Sequence, residues 1–412
     1  MLKYRSLNNL NRFFTPYYSQ PLVKQERAVN FTEIMLKFLE DPKYPLLGPH
    51  LFLLGLTGLW HPILNRAARF KVFLFYLTTA FFFSQYIKCM LYLNIDSLNL
   101  ILQYVPFHMG IVKACFFRIN YANWCRLIDC ISDIERHQML QKDIRHYIKD
   151  YIKRSRRVTF FFWALAFFSN FSLFTEPYRK NQVGNGTSSY LYIFDGYTPF
   201  ERVPPGYYYS MFVQTILGHV VSAYVMGWDM FVVSIMIFFA GQLKIFRVYS
   251  RRIFCSENHQ TSYKNIAKCH EFYLKLVEYH KLFNSLISPV MFIYLIVISV
   301  NLGVCIIQIL QDDVGSLIAA CLYILACMIQ LLLFYWYSNE VTNESLLLSY
   351  SSFESKWYNA PNDLQRNIAL LSATTKRLVF KAGPYFEISL YTFLKILRSS
   401  YSFFTLLNET NS

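Results

Sequence analysis

Charge is scarce in this chain: only 16% of its 412 residues are Asp, Glu, Lys or Arg, while 54% are hydrophobic and 19% aromatic. A soluble domain of this size is less apolar and less aromatic, so a water-soluble globule does not fit. Catalytic motifs are also missing. There is no Walker A sequence, no Gly-x-Gly-x-x-Gly and no His-Glu-x-x-His, and His61, His108 and His219 lie scattered on different segments. Nothing here points to an enzyme or a cofactor. Nine cysteines are present, but none falls in a connector read as extracellular, so no disulfide framework is expected. Cys125 and Cys130 lack a second ligand pair at zinc-like spacing, so no metal site is expected either. A secretory signal peptide is absent: MLKYRSLNNLNRFF is basic and aromatic, with no apolar core behind it. The first spanning helix then acts as its own targeting signal. No internal repeat or low-complexity tract interrupts the chain.

What fills the sequence is long apolar runs separated by charged connectors, with a mean hydropathy of +0.26. Seven runs are read as membrane spans. They cover about Val72–Leu93, Leu98–Phe117 with Pro106 as a kink, Val158–Phe174, Tyr207–Phe239, Leu282–Leu310, Leu317–Trp336 and Tyr385–Leu407. LFLLGLTGLW at 51–60 is too short to span and fits an interfacial or re-entrant helix. The expectation is an all-α polytopic membrane protein with seven transmembrane helices. Residues 1–71 form a tail with the short interfacial helix. Residues 72–310 hold helices one to five, 311–384 hold helix six and an anchor segment, and 385–412 hold the last helix and a short tail. If helical from Tyr207 to Ile253, the fourth span runs roughly 70 Å, far beyond the roughly 30 Å of a hydrocarbon core. Such overshoot, with Leu364, Ile368, Leu371 and Thr375 on one face of a later segment, predicts a small helical domain on one side of the membrane.

The net charge of +15 does not read as a nucleic-acid surface, because Lys and Arg cluster between the spans. Basic residues crowd the connectors after spans two, four and six, and the alternate connectors are nearly free of them. The positive-inside rule then places the N-terminus in the cytoplasm and the C-terminus outside. The sequon Asn185-Gly186-Thr187 lies in a loop assigned to the outside, which makes Asn185 a candidate glycosylation site.

Two stretches could carry function. Along the last run, Glu387, Tyr391, Lys395, Arg398, Ser402, Thr405 and Glu409 recur at steps of three and four and share one helical face. That polar line must hide from lipid, against a packed bundle or against a water-filled pore. Separately, spans two, three, four and six bring together Phe107, His108, Phe168, Phe171, Tyr208, Met211, Phe212, Thr215, Tyr323 and Ile324. This mixture reads either as bundle core or as a pocket for a small, lipophilic, volatile ligand. Asp229 within span four is a candidate functional acid or a helix-to-helix hydrogen bond.

The C-terminal stretch RLVFKAGPYFEISLYTFLKILRSSYSFFTLL, the block ESLLLSYSSFESKWYN at Glu344 to Asn359, and Gly58-Leu59-Trp60 carry a family likeness. The chain resembles the insect odorant receptors, seven-helix chemoreceptors that are not coupled to G proteins. Related gustatory receptors end in a Thr-Tyr … Gln-Phe pattern; here Thr392-Phe393 lacks the later Gln-Phe. Neither Asp-Arg-Tyr after span three nor Asn-Pro-x-x-Tyr in span seven is present, as a G-protein-coupled receptor would show. The resemblance implies a cytoplasmic N-terminus and an odorant-gated, non-selective cation channel, built as a heterotetramer with the odorant receptor co-receptor. It implies a small volatile odorant as ligand and residence in the lipid of the dendritic plasma membrane of olfactory sensory neurons. It also implies a pore lined by the last helix, with Lys395 and Arg398 at its inner end and Ser402, Thr405 and Glu409 near its outer gate.

Overall fold

Residues 41–63, 65–92, 104–183, 190–194, 198, 200, 203–254, 259–311 and 314–411 are described in the computed structural model. The predicted tail up to residue 40, the start of span two and the sequon at Asn185 lie outside them. The short apolar run folds as a nine-residue helix, α1 (Gly48–Leu56), with Pro49 in its first turn. It stops at Gly58, whose φ of +82° and 2.5 Å clearance to the Lys71 carbonyl oxygen admit no side chain. Then come α2 (Arg66–Tyr92), α3 (Val105–Ile119), α4 (Tyr121–Met139), α5 (Arg145–Val183), α6 (Gly206–Arg251), α7 (His259–Gln311) and α8 (Val314–Leu346). After a single turn at Leu348–Ser351 follow α9 (Asn362–Thr374), the strand pair β1 (Lys381–Ala382) and β2 (Phe386–Glu387), and α10 (Leu390–Asn411).

Five helices among the described residues are long and apolar enough to cross a membrane, those holding Arg66–Leu91, Arg145–Asn181, Gly206–Arg251, His259–Gly303 and Leu317–Asn359. The centre of the bundle is α6, where every residue from Gly227 to Leu243 is buried. A helix apolar on all sides has no face to offer water, so its neighbours must surround it. α1, α3, α5, α7 and α8 do so. The 46 residues of α6 and the 53 of α7 extend roughly 70 and 80 Å, so both are longer than a hydrocarbon core is thick, as expected for α6. Beyond the apolar part of α6, Glu340 accepts from Arg154 at 2.8 Å and Lys244 at 2.9 Å. Glu344 accepts from Arg247 at 3.2 Å. These pairs lock α5, α6 and α8 together. Nearby, α9 buries Leu364, Ile368 and Leu371.

Two expectations need correction. Pro106 does not kink a helix; it sits in the first turn of α3, where its missing N–H costs nothing and its fixed φ suits a helix start. The last helix begins at Leu390 rather than Tyr385, because Gly383-Pro384 turns the chain into a hairpin. Gly383 takes φ +63° and donates its N–H to the Ser288 carbonyl at 3.1 Å, pinning the hairpin to α7. Glu387 therefore leaves the polar line: it lies in β2 and pairs with Arg377 at 3.0 Å.

Candidate ligand cavity and last helix

A cavity of about 40 Å³ opens among α3, α5, α6 and α8. Pro106 and Phe107 come from α3, Phe162, Ala166, Ser169 and Asn170 from α5, and Ser222, Val225 and Met226 from α6. Tyr323, Ala326, Cys327 and Gln330 run down α8 at steps of three and four, one helical face turned into the space. Small residues make the room: Ala166, Ala326 and Ser222 carry no bulk. A volume of this size admits a few water molecules before any side chain moves. Phe194, from the segment before α6, packs 6.0 Å from Phe107, 5.1 Å from Tyr104 and 5.0 Å from Phe82, centroid to centroid. Its N–H donates to Gln214 Oε1 at 2.9 Å. That buried loop residue covers the Phe107 wall, and no helical periodicity marks it in the sequence.

The sequence-predicted pocket residues divide. Phe107 and Tyr323 line the cavity. His108 turns to the other side of α3, buried beside Phe82 and Tyr86, and neither ring nitrogen has a hydrogen-bond partner among the described residues. Met211 is wholly buried in α6 away from the cavity lining, and Ile324 is half-buried. Thr215 lines a separate, more open groove of about 570 Å³ with Leu56, Lys71 and His219. Phe168, Phe171, Tyr208 and Phe212 are 62%, 59%, 59% and 65% exposed on the outside of the chain. These four do not meet in a pocket within one chain, which corrects that part of the expectation. Their helices present apolar side chains outward because the medium there is not water.

Below the cavity lies a group that the sequence half revealed. Asp229 is one helical turn from Met226 and fully buried, and its Oδ1 accepts from Lys113 Nζ at 2.6 Å. Gln330, on the cavity wall, donates from Nε2 to the other oxygen, Oδ2. The Lys113 ammonium also lies over the rings of Tyr294 at 4.3 Å, Trp228 at 5.3 Å and Phe334 at 5.8 Å. A desolvated charge survives only when paired and hydrogen-bonded; here one carboxylate and three ring faces supply that. Lys113 was visible as a lysine inside an apolar run, and an acid in another span was the signal that should have paired them.

The cavity wall also reaches the last helix through α7. Tyr323 Oη donates to Asn301 Oδ1 at 3.2 Å. Ser400 Oγ on α10 donates to the Ser299 carbonyl at 3.0 Å. α10 buries Thr392, Ile396 and Ser400, while Tyr391, Lys395, Arg398 and Ser402 stay exposed on its other side. So the polar line is not packed into this chain's own bundle. Lys395 lies over the Tyr391 ring at 4.6 Å. Thr405 is half-exposed and donates to the Ser402 carbonyl at 2.9 Å. The Glu409 side chain lies outside the described residues.

Fold and site together define a polytopic helical membrane protein with a small cavity among its helices and a last helix that keeps one polar face exposed. The model of the 7tm Odorant receptor family matches residues 102–401, and the chain belongs to that family, which is a receptor family and not an enzyme family. Among its relatives, odorant receptor 10 of Aedes albopictus is 23% identical over 287 residues, 68% of this chain and 73% of the relative. Odorant receptor 67c of Drosophila melanogaster is 24% identical over 303 residues, 69% of this chain and 74% of the relative. The fold matches the structure of the olfactory receptor OR5 from Machilis hrabei with a TM-score of 0.76 at 16% identity, over 91% of this chain and 98% of that one. It matches the same receptor in complex with eugenol with a TM-score of 0.73 at 13% identity, over 92% of this chain and 99% of that one.

Proposed function

We propose that this odorant receptor is the ligand-binding subunit of a heterotetrameric, odorant-gated, non-selective cation channel. It assembles with the odorant receptor co-receptor in the plasma membrane of olfactory sensory neuron dendrites. The observation that carries the reading is the free polar face of α10 in a chain of this family. We read α10 as a membrane span, and a span cannot give Lys395, Arg398 and Ser402 to lipid, so that face meets water or another subunit. Lys395, Arg398, Ser402, Thr405 and Glu409 then line the ion path, with the N-terminus cytoplasmic, the C-terminus outside and Asn185 open to glycosylation. The cavity at Phe107 and Tyr323 takes a small volatile ligand, as the Machilis receptor takes eugenol. Its affinity comes mainly from apolar burial. Co-expression with the co-receptor is expected to give odorant-evoked cation current, and expression of this chain alone to give little. A full current from this chain in cells without any co-receptor would sink the heteromeric reading.

A further inference from the structure

Five polar side chains stand on the cavity wall, Ser169 and Asn170 on α5, Ser222 on α6, and Tyr323 and Gln330 on α8, and of these Gln330 is the one tied to the buried Lys113–Asp229 pair. Ser222 Oγ is committed to the Gly218 carbonyl at 2.8 Å, and Tyr323 Oη to Asn301. Gln330 is 4% exposed and lines the cavity. Its amide has a fixed sense. Asp229, as the partner of the Lys113 ammonium, accepts on both carboxylate oxygens, so Gln330 must turn its NH2 toward it. The amide oxygen is then what is left over, and among the described residues nothing donates to Gln330 Oε1. The side chain is buried and lines the cavity, and its oxygen makes no hydrogen bond to any described residue, whereas polar groups in a protein interior ordinarily make one.

We propose that this cavity selects ligands bearing a hydroxyl group, which donates to Gln330 Oε1, and that the Lys113–Asp229 pair sets the preference by holding the amide in one sense. The ligand class is a small, largely apolar alcohol or phenol; ethers, esters and ketones of the same skeleton offer no donor and leave the oxygen bare. The proposal rests on the receptor reading above only in taking this cavity as the ligand site. Gln330 acts on the ligand directly. Asp229 and Lys113 are positioning residues, one and two steps removed.

The discriminating probes are phenol against anisole and cyclohexanol against methoxycyclohexane, pairs that keep ring and oxygen and differ in the donor. Two readouts are taken: ligand-induced thermal stabilisation of the purified full-length chain, and current on co-expression with the co-receptor. The parent is expected to half-saturate at roughly tenfold lower concentration with each hydroxyl compound than with its ether, the value of one buried hydrogen bond. Gln330→Met should abolish that preference while moving the ether by less than about threefold. The double variant Lys113→Met/Asp229→Asn keeps Gln330, removes both charges, and frees the amide to present its NH2 to the cavity. In it the alcohol preference should collapse or reverse, which a purely structural role for the pair would not produce. If Gln330→Met fails to reach the surface, the double variant alone decides. Equal stabilisation by alcohol and ether, or none by either, overturns the inference. So does a double variant that retains the full preference. Alcohol-selective stabilisation without co-receptor-dependent current leaves the inference standing and removes the channel reading. Current evoked equally by both probe classes does the reverse.

Discussion

Glu135 on α4 offers a measurable test of how burial and hydrogen bonding compete in this fold. The residue is 1% exposed and sits outside the apolar spans. Its Oε1 accepts from Tyr151 Oη at 2.8 Å and its Oε2 from the Leu46 N–H at 3.2 Å. Both donors, and the charge of Arg156, favour the carboxylate; desolvation is larger and pushes its pKa up to about 7. The unfolded value is near 4.5. Between those two values the folded chain holds a proton that the unfolded chain has lost, so stability falls as pH rises across that window and is lowest above it. A shift of this size corresponds to about 3 kcal/mol at full ionisation. Glu135→Gln removes the titration. Its amide can accept one of the two donors but must face the other with its NH2, a loss of about 1 kcal/mol. The variant should therefore melt below the parent at about pH 5 and above it at about pH 8. Taking the difference between parent and variant cancels every other titrating group. The assay is thermal unfolding of purified protein in one detergent, followed by tryptophan fluorescence across that range. A parent-minus-variant difference that stays constant from pH 5 to pH 8 would refute the reasoning, because Glu135 would then not change its ionisation within that range.

Gly383→Ala forces a side chain into a positive-φ position and places Cβ 2.7 Å from Phe292 Cδ2, with an expected cost of about 1 to 3 kcal/mol. Adding Phe292→Ala should return the steric part and leave the backbone strain, and equal melting temperatures for single variant and parent would count against it. Thr405→Lys puts fixed positive charge on the proposed ion path, and in a confined site the repulsion should cut cation conductance while the half-activating odorant concentration moves little. Current–voltage and dose–response curves in the co-receptor complex test this, and unchanged conductance with a changed odorant ranking would remove α10 from the pore.

The parts of this fold that a sequence can state are those where water is the other solvent. The all-round apolar run of α6, its overshoot, the basic connectors and the buried face of α9 are all written as contrasts between polar and apolar residues, and those contrasts survive inspection of one chain. Inside a bilayer the contrast vanishes. Phe107 lines a cavity and Phe168 faces outward, yet both are aromatic residues on apolar helices, and hydropathy gives no sign to choose between them. Short-range breakers were legible but ambiguous: Pro106 suits a kink or a helix start, and only the position of the first hydrogen-bonded turn decides. The hairpin at Gly383 was hidden because the residues after it keep a helical spacing, so Glu387 seemed to continue a line it does not join. The polar residues of the spans were the underused signal. Lys113, Asp229, Gln330 and Asn301 are each costly in an apolar medium unless paired, and pairing them among themselves is close to the arrangement found.

That economy of polar groups also explains why α7 matters to both ends of the molecule. Tyr294 under the Lys113 ammonium, Ser299 under Ser400, and Asn301 under Tyr323 fall within about two turns of one helix. The cavity wall and the last helix therefore hold the same short stretch of α7, one through a side-chain amide and a ring face, the other through a backbone carbonyl. In water such contacts could loosen gradually, since solvent would take over each bond as it lengthened. In an apolar bundle solvent is scarce, so a hydrogen bond there is kept or exchanged for another within reach. Asp229 with Lys113 and Gln330, and Asn301 with Tyr323, are accordingly paired within the protein, and Ser400 ties α10 to the same stretch of α7.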